Sequence, residues 1–378
     1  GLGFSAAVGI VFAILSALFL LPVALVLLGR KLFWPFVPKV GDPAREGKFW
    51  GKLGDATARK PKTIAGIAVI VLLVMASGLF SAKIGLSENE QFTDKPEAVT
   101  AAETLEEGFA AGSTFPVIVL VNSDEADAAL EELGSVDGVD NATISDEHDG
   151  LTRIDLITTY EAGTDEANTF IRDLRSDLAE NPGYEALVGG EAAERVDQLD
   201  ANTHDVTLVV SLVILLVFLV LVALLRSLVA PVLLVASVLL TFFAASGISW
   251  LLFVNVLGFP ALDTLTLLYS FLFLVALGVD YNIFLVTRAR ENAAIMGTKK
   301  GMLAALRSTG GVITSAGILL AAVFVVLGVL PLVTLAQVGL TVAIGVLFDT
   351  LIVRTVIVPA LVFVLGDKFW WPSRPGAK

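Results

Sequence analysis

The sequence predicts a polytopic α-helical membrane protein that carries one α+β domain outside the membrane. Hydrophobic residues make up 56% of the 378 positions, which is above the ~45–50% that is usual in soluble domains. Seven stretches are apolar enough to cross a bilayer, which takes ~20 residues of helix. The charge lies elsewhere, because 30 of the 38 acidic residues fall between positions 88 and 205.

The apolar stretches lie on both sides of this acidic segment. The first run is longer than the ~7–15 residues of a signal-peptide core and has no basic lead-in, so we expect a span that belongs to a longer chain. Glycines and Pro331 allow a turn that divides the last apolar region into two. The predicted spans are residues 3–28, 64–82, 206–225, 228–254, 265–287, 312–327 and 336–365.

Lys and Arg orient the predicted spans, because they are retained in cytoplasmic loops. Nine basic and three acidic residues lie between positions 30 and 62, and Arg226 and residues 288–307 mark two further basic loops. The alternate loops are poor in Lys and Arg. We therefore expect the acidic domain outside the cytoplasm and the end of the chain inside it. The basic residues form no stripe with interleaved aromatics, so no nucleic-acid partner is expected.

The acidic segment has the pattern of a small α+β domain. In its second helix-like stretch Phe170, Leu174 and Leu178 form one apolar stripe. The order βαββαβ predicts a ferredoxin-like unit. His148 and His204 each lack a second ligand at metal spacing, so the sequence predicts neither a metal site nor a cofactor. The predicted strands are near residues 116–121, 139–144, 151–159 and 184–188, and the helices are at 125–133 and 166–178.

The two ends of the chain repeat each other at a constant offset of 337 residues. The matching positions are Pro22 and Pro359, Gly29 and Gly366, Lys31 and Lys368, Trp34 and Trp371, Pro35 and Pro372, and Pro38 and Pro375. Internal duplication is typical of transporter folds, in which two similar halves move against each other. We therefore expect six spans of a second repeat, one span left from the first, and the remaining N-terminal half of a transporter as a partner.

This repeat and the span pattern together predict the division of the chain into domains. The predicted parts are the last span of the first repeat (1–29), a cytoplasmic linker (30–63), the first span of the second repeat (64–83), an extracytoplasmic porter domain (84–205), a five-span membrane bundle (206–366) and a cytoplasmic tail (367–378).

Four residues inside predicted spans are candidates for function. An ionisable residue near the bilayer centre costs at least ~2.5–3.5 kcal/mol, so each one is a functional hypothesis. Asp280 and Tyr281 lie in the span at 265–287, and Asp349 and Arg354 lie in the last span. Counted from the outer ends of both spans, Asp280 has a depth close to that of Asp349 and Arg354. We therefore expect these charged side chains to meet.

Two interpretations of these charges stay open at this point. In the first, Arg354 forms a structural ion pair with either Asp280 or Asp349 and does nothing else. In the second, two carboxylates share one intramembrane arginine, so one acid is in surplus and takes up and releases a proton. Tyr281 can then hydrogen-bond a carboxylate in either charge state.

Three motifs resemble those of a known family. Residues 278–285 read Gly-Val-Asp-Tyr-Asn-Ile-Phe-Leu, residues 308–317 read Ser-Thr-Gly-Gly-Val-Ile-Thr-Ser-Ala-Gly, and Phe-Asp-Thr at 348–350 precedes Arg354. With these motifs the whole chain resembles the mycobacterial membrane protein large (MMPL) family of the resistance-nodulation-division (RND) transporters. The resemblance implies that Asp280 and Tyr281 are the second-half Asp-Tyr pair of a proton relay, supported by Asp349 and Arg354.

The same resemblance implies a fold and a cellular role. It implies a twelve-span exporter of RND type in the inner (plasma) membrane, with two outer porter domains. Proton flow would drive the export of lipids or other hydrophobic metabolites toward the cell envelope. An alternative is a protein-translocation accessory subunit of the same superfamily. An intramembrane aspartyl protease also needs two acids, but its second Gly-x-Gly-Asp motif is absent, so no enzymatic activity is expected.

Overall fold

The computed structural model describes residues 2–29, 31, 48–86, 92, 97, 100–101, 116–160, 164–180 and 182–375. Trp34, Pro35 and Pro38 of the predicted repeat, most of the predicted linker before Lys48, and much of the segment from 87 to 115 lie outside these residues. The chain divides into two compact units, Gly1–Gly47 and Lys48–Lys378. The described residues include seven helical regions long and apolar enough to cross a membrane, in agreement with the predicted number.

The described residues of the first unit, 2–29 and 31, contain one long helical region with three parts. Helix α1 (Leu2–Leu15) continues through a π-helical segment (Ser16–Leu20) into α2 (Leu21–Leu28). The region ends at Gly29, where φ is +53° and ψ is −136°. Glycine adopts such a positive φ at little steric cost, which explains why the helix ends at a glycine.

The described part of the second unit holds ten further α-helices of the bundle and the small domain, together with one four-stranded sheet. After α3 (Lys48–Arg59) and α4 (Pro61–Ala76) the chain enters the small domain and then returns to the helical bundle. The bundle helices are α7 (Glu191–Leu225), α8 (Val229–Leu252), α9 (Thr264–Met296), α10 (Thr298–Leu327), α11 (Val333–Phe348) and α12 (Val358–Leu365), with π-helical segments at Phe253–Leu257 and Asp349–Ile357 and 3-10 helices at Ser77–Ser81 and Gly366–Trp370.

The small domain follows the element order that the sequence predicts. Its elements are β1 (Val117–Asn122), α5 (Ala126–Gly134), β2 (Val139–His148), β3 (Leu151–Thr158), α6 (Asp165–Glu180) and β4 (Leu187–Gly189). The strands lie in the order β2-β3-β1-β4, and every neighbouring pair is antiparallel. Alternate residues of β1 are buried under the helices, as period-2 alternation requires. The assignment of this domain to the ferredoxin-like porter class stays a prediction.

Helix α7 joins the domain to the bundle without a break. The predicted boundary at residue 206 therefore falls inside a helix of 35 residues. Ala193 and Val196 pack in the core of the domain, while Leu221 and Leu225 pack in the core of the bundle. Hydropathy marks where apolar surface begins, but a polar helix can continue beyond the bilayer, so the change in composition does not mark a helix end.

The predicted basic loop at 288–307 is likewise helical. Helix α9 continues to Met296 and α10 begins at Thr298. Only Gly297, with φ of +83°, separates the two helices. A Cβ on Gly301 would lie 2.5 Å from the backbone nitrogen of Ala293, so glycine lets the two helices approach closely at this turn. The predicted loop is helical for the same reason as the predicted boundary at 206: charged residues end the apolar run before the helix itself ends.

Both copies of the predicted repeat share one backbone pattern. The π-helical segment Ser16–Leu20 precedes α2, and the π-helical segment Asp349–Ile357 precedes α12. Gly366 ends α12 with φ of +56° and ψ of −131°, close to the values at Gly29. The local conformations thus agree with an internal duplication that the sequence alone suggests.

Candidate functional site: an ion pair inside the helical bundle

The π-helical segment Asp349–Ile357 brings an acid and a base together. Asp349 and Arg354 form an ion pair, and they are 4% and 1% exposed. In an α-helix, residues five positions apart point about 140° away from each other, because each residue advances ~100°. A π-helix bonds residue i to residue i+5 and so places such residues on one face. The ion pair therefore depends on the π-helical geometry of this segment.

Proline accounts for the position of this π-helical segment. Pro359 is the second residue of α12 and Pro22 is the second residue of α2. Proline has no N–H to donate, and its ring clashes with the carbonyl four residues before it; a wider turn relieves that clash. At the repeat offset, Phe12 and Ala17 stand where Asp349 and Arg354 stand, so the ion pair is not needed to form such a segment.

Helix α9 supplies the other side of the site. A Cβ placed on Gly278 would lie 3.8 Å from the carboxyl carbon of Asp349, so the glycine allows the two helices to approach. Asn282 is fully buried and lies beside Asp349. The guanidinium carbon of Arg354 is 4.7 Å from the ring centroid of Tyr281. Arg354 is thus held by an acid on its own segment and by an aromatic ring on α9.

Asp280 does not join this cluster, although the sequence led us to expect that it would. Its side chain is exposed, and within the described part of the chain it has no ion pair or hydrogen bond. Gly278 and Asn282 face Asp349, and Asp280 is two residues from each, or about 200° around the helix. Depth along the span was therefore the wrong criterion, because the angle around α9 decides which side chains meet.

Several polar atoms at the ion pair have no hydrogen-bond partner among the residues that the structure describes. They are Oδ1 of Asp349, Nε and Nη1 of Arg354, Oγ1 of Thr350, and both amide atoms of Asn282. Buried polar atoms are nearly always hydrogen-bonded, and each exception calls for an explanation. Sequence reasoning missed Asn282 and Thr350; the available signals were an amide inside an apolar span and the acid–base spacing of five.

The motif at 308–317 positions its helix by close packing. A Cβ on Gly317 would overlap the side chain of Thr350, the neighbour of Asp349. At the other end of the motif, a Cβ on Gly310 would lie 2.9 Å from the indole of Trp50, which α3 supplies. The glycines thus let α10 lie directly against the π-helical segment on one turn and against α3 on another.

A bundle of long apolar helices around a buried ion pair, with a small α+β domain on one continuous helix, defines a multi-pass membrane protein. The family comparison is consistent with this class. The model of the MMPL family matches residues 1–64 and 91–377, and the chain belongs to the MMPL family. This confirms the resemblance that the three motifs indicate.

Curated relatives agree with this membership. The membrane protein SCO0839 of Streptomyces coelicolor is 43% identical over 99% of this chain and 55% of its own length. The apo-petrobactin exporter of Bacillus anthracis is 33% identical over 96% of this chain and 53% of its own length. The sulfolipid-1 exporter MmpL8 of Mycobacterium tuberculosis is 35% identical over 58% of this chain and 19% of its own length. The chain spans about half the length of the first two of these relatives.

These relatives bear on the class of activity. Two of them are named as exporters and none of the three is named as an enzyme. The prediction of a transporter in place of an enzyme agrees with these names.

Proposed function

We propose that this chain is the C-terminal half of an exporter, driven by proton flow, that moves lipids or other hydrophobic metabolites across the inner membrane to the cell envelope. The observation that carries the proposal is the buried Asp349–Arg354 pair in the last span, with the ring of Tyr281 on α9 against Arg354. A charged pair inside a membrane is costly, so its retention there favours a functional use. The names of the two exporters among the relatives support the general activity.

Asp280 has a separate place in this proposal. It shares one exposed face of α9 with Phe273, Ala276 and Phe284. A charged carboxylate is not stable against lipid, so we infer that another protein surface, the matching face of a first repeat, covers it in the working transporter. Asp280 then takes up and releases the proton, while Asp349 stays paired with Arg354 nearby.

The neighbours of Asp280 offer a route from the proton to the helices. Tyr281 follows Asp280 directly and contacts Arg354, so a small rotation of α9 on protonation of Asp280 would move the ring under the guanidinium. Arg354 lies on the last span, which packs against α9 and α10. Helix α7 runs unbroken from the bundle into the small domain, and it can carry such a movement to the domain that we propose to lie outside the cytoplasm.

The test replaces Asp280 with asparagine, which keeps the shape of the side chain and removes the titrating group. We expect Asp280→Asn to abolish export that depends on a proton gradient while the protein still folds in the membrane. The matched control is Asp263→Asn: Asp263 accepts a hydrogen bond from the backbone nitrogen of Leu265 at 2.8 Å and caps α9, and asparagine caps helices equally well.

The control should export normally. Export that persists in Asp280→Asn, and that a protonophore still stops, would remove Asp280 from the proton path. Crosslinking of the cargo in membranes separates the main proposal from the protein-translocation alternative, since the first expects a lipid or small hydrophobic molecule and the second a polypeptide.

A further inference from the structure

A group of arginines lies at the end of the bundle opposite the small domain. Arg226 ends α7, Arg290 lies in the last two turns of α9, and Arg374 lies in the segment after the last helix. Arg290 donates hydrogen bonds to the backbone oxygen of Leu224 and to Oγ of Ser373, both at 3.4 Å. Arg290 therefore connects the end of α7 to the final segment, next to Arg374 in the chain.

Hydrogen bonds fix the backbone around this group. Oγ of Ser227 donates to the backbone oxygens of Phe369 and Trp371, each at 3.1 Å. The backbone nitrogen of Leu228 donates to the same Trp371 oxygen at 2.8 Å. Ser227 is 1% exposed. The final segment is thus tied to the turn between α7 and α8, so the arginines are held on a defined scaffold.

The positive charges of this group are not neutralised by the part of the chain that the structure describes. Arg226 is close enough to Arg290 for the two to repel, and neither they nor Arg374 form an ion pair with a described carboxylate. Other arginines at the same end do find such partners. Arg288 pairs with Glu291 at 2.8 Å, only two residues before Arg290.

Capping of α7 accounts for only part of this arrangement. The last carbonyls of a helix lack partners and attract cations, and Arg290 does donate to Leu224. A guanidinium has five N–H donors, however, and the bonds to Leu224 and Ser373 use two of those on Arg290. The rest of Arg290, together with Arg226 and Arg374, can receive an anion with several oxygens.

The surroundings of the arginines indicate which anion fits. Trp371 is 58% exposed, Leu224 is 47% exposed and Leu228 is 39% exposed. Exposed aromatic and aliphatic side chains beside arginines are typical of the membrane interface. Basic pockets at the ends of membrane helices bind phosphate-containing lipid headgroups.

We propose that Arg226, Arg290, Ser373 and Arg374 form a binding site for the phosphate group of an anionic phospholipid, whose acyl chains lie along Leu224, Leu228 and Trp371. The bound lipid would hold the final segment against the α7–α8 turn and neutralise the facing arginines. The site stands apart from the Asp349–Arg354 pair, so it does not depend on the proposed proton coupling.

The test measures binding of short-chain phosphatidylglycerol to the purified protein in a zwitterionic detergent, with short-chain phosphatidylcholine and inorganic phosphate as the other two probes. We expect phosphatidylglycerol to bind more tightly than phosphatidylcholine and to raise the unfolding temperature. The double variant Arg226→Gln with Arg290→Gln should bind phosphatidylglycerol at least about tenfold more weakly, since each substitution removes a charge-assisted contact. The matched control is Arg288→Gln, which should bind as the unmodified protein does.

The other outcomes are also decisive. If the double variant does not fold, Arg374→Gln in the exposed final segment gives the same comparison and should weaken binding severalfold. Binding of inorganic phosphate as tight as that of phosphatidylglycerol would support the phosphate contacts but overturn the assignment to a lipid. Equal binding of phosphatidylglycerol and phosphatidylcholine, or equal losses in Arg288→Gln and the double variant, would overturn the site itself.

Discussion

The guanidinium of Arg354 lies over the ring of Tyr281, with 4.7 Å between the guanidinium carbon and the ring centroid. Such a contact is worth ~0.5–2 kcal/mol, and more where water is excluded. It joins α9, which carries Asp280, to the segment that carries Asp349. Substitutions on both sides of this contact separate what it contributes to stability from what it contributes to export.

Tyr281 offers a way to separate its ring from its hydroxyl. Tyr281→Phe keeps the ring under Arg354, so the unfolding temperature in detergent should stay within a few degrees. Tyr281→Leu removes the ring and should lower the free energy of unfolding by about 1–2 kcal/mol. If the hydroxyl takes part in the proton relay, the phenylalanine variant alone will lose export at unchanged stability. Normal export by Tyr281→Phe would confine the role of Tyr281 to its ring.

Removal of one partner of the buried ion pair should lower the free energy of unfolding more than removal of both partners. Arg354→Met leaves the Asp349 carboxylate buried and unpaired, which typically costs 3–5 kcal/mol. The double variant Asp349→Leu with Arg354→Met replaces the pair with apolar side chains and should recover most of that stability. Unfolding in detergent measures stability, and export in membranes should be lost in both variants. A double variant as unstable as Arg354→Met would contradict this account of the pair.

Asn282 should oppose stability while it serves function. It is fully buried, and both of its amide atoms lack a hydrogen-bond partner among the described residues. Asn282→Leu removes these atoms and should raise the free energy of unfolding by about 1–3 kcal/mol. If Asn282 positions the Asp349–Arg354 pair that supports the proton relay, the same variant will also change the pH profile of export. A loss of stability would show that the amide is structural.

Gly317 tests the packing of α10 on the π-helical segment. Gly317→Ala places a methyl group on Thr350, and overpacking of this kind costs about 1–3 kcal/mol. The matched control is Gly66→Ala in α4, where nothing lies within 4 Å of the added Cβ. The control should be neutral or slightly stabilising, because alanine favours helix. Equal unfolding temperatures for the two variants would argue against close packing at Gly317.

The spans and the element order of the small domain could be read from the sequence because each is a local or periodic signal. Apolar runs fix where helices cross a membrane, and alternation fixes strands such as Val117–Asn122. The sequence predicts the ends of helices less well. Helix α7 passes through the predicted domain boundary, since the polar part of a helix has the same backbone as the apolar part.

The sequence by itself determined that Asp280, Tyr281, Asp349 and Arg354 lie within apolar spans, because composition alone shows a charge in such a run. Only the tertiary structure decided which of them meet. The π-helical segment turns Asp349 toward Arg354, and the ~200° between Asp280 and its inward-facing neighbours turns Asp280 to the surface. The reason is that a contact depends on the angle of a side chain around its helix and on the helix packed against it, which the depth of a residue along a span does not specify.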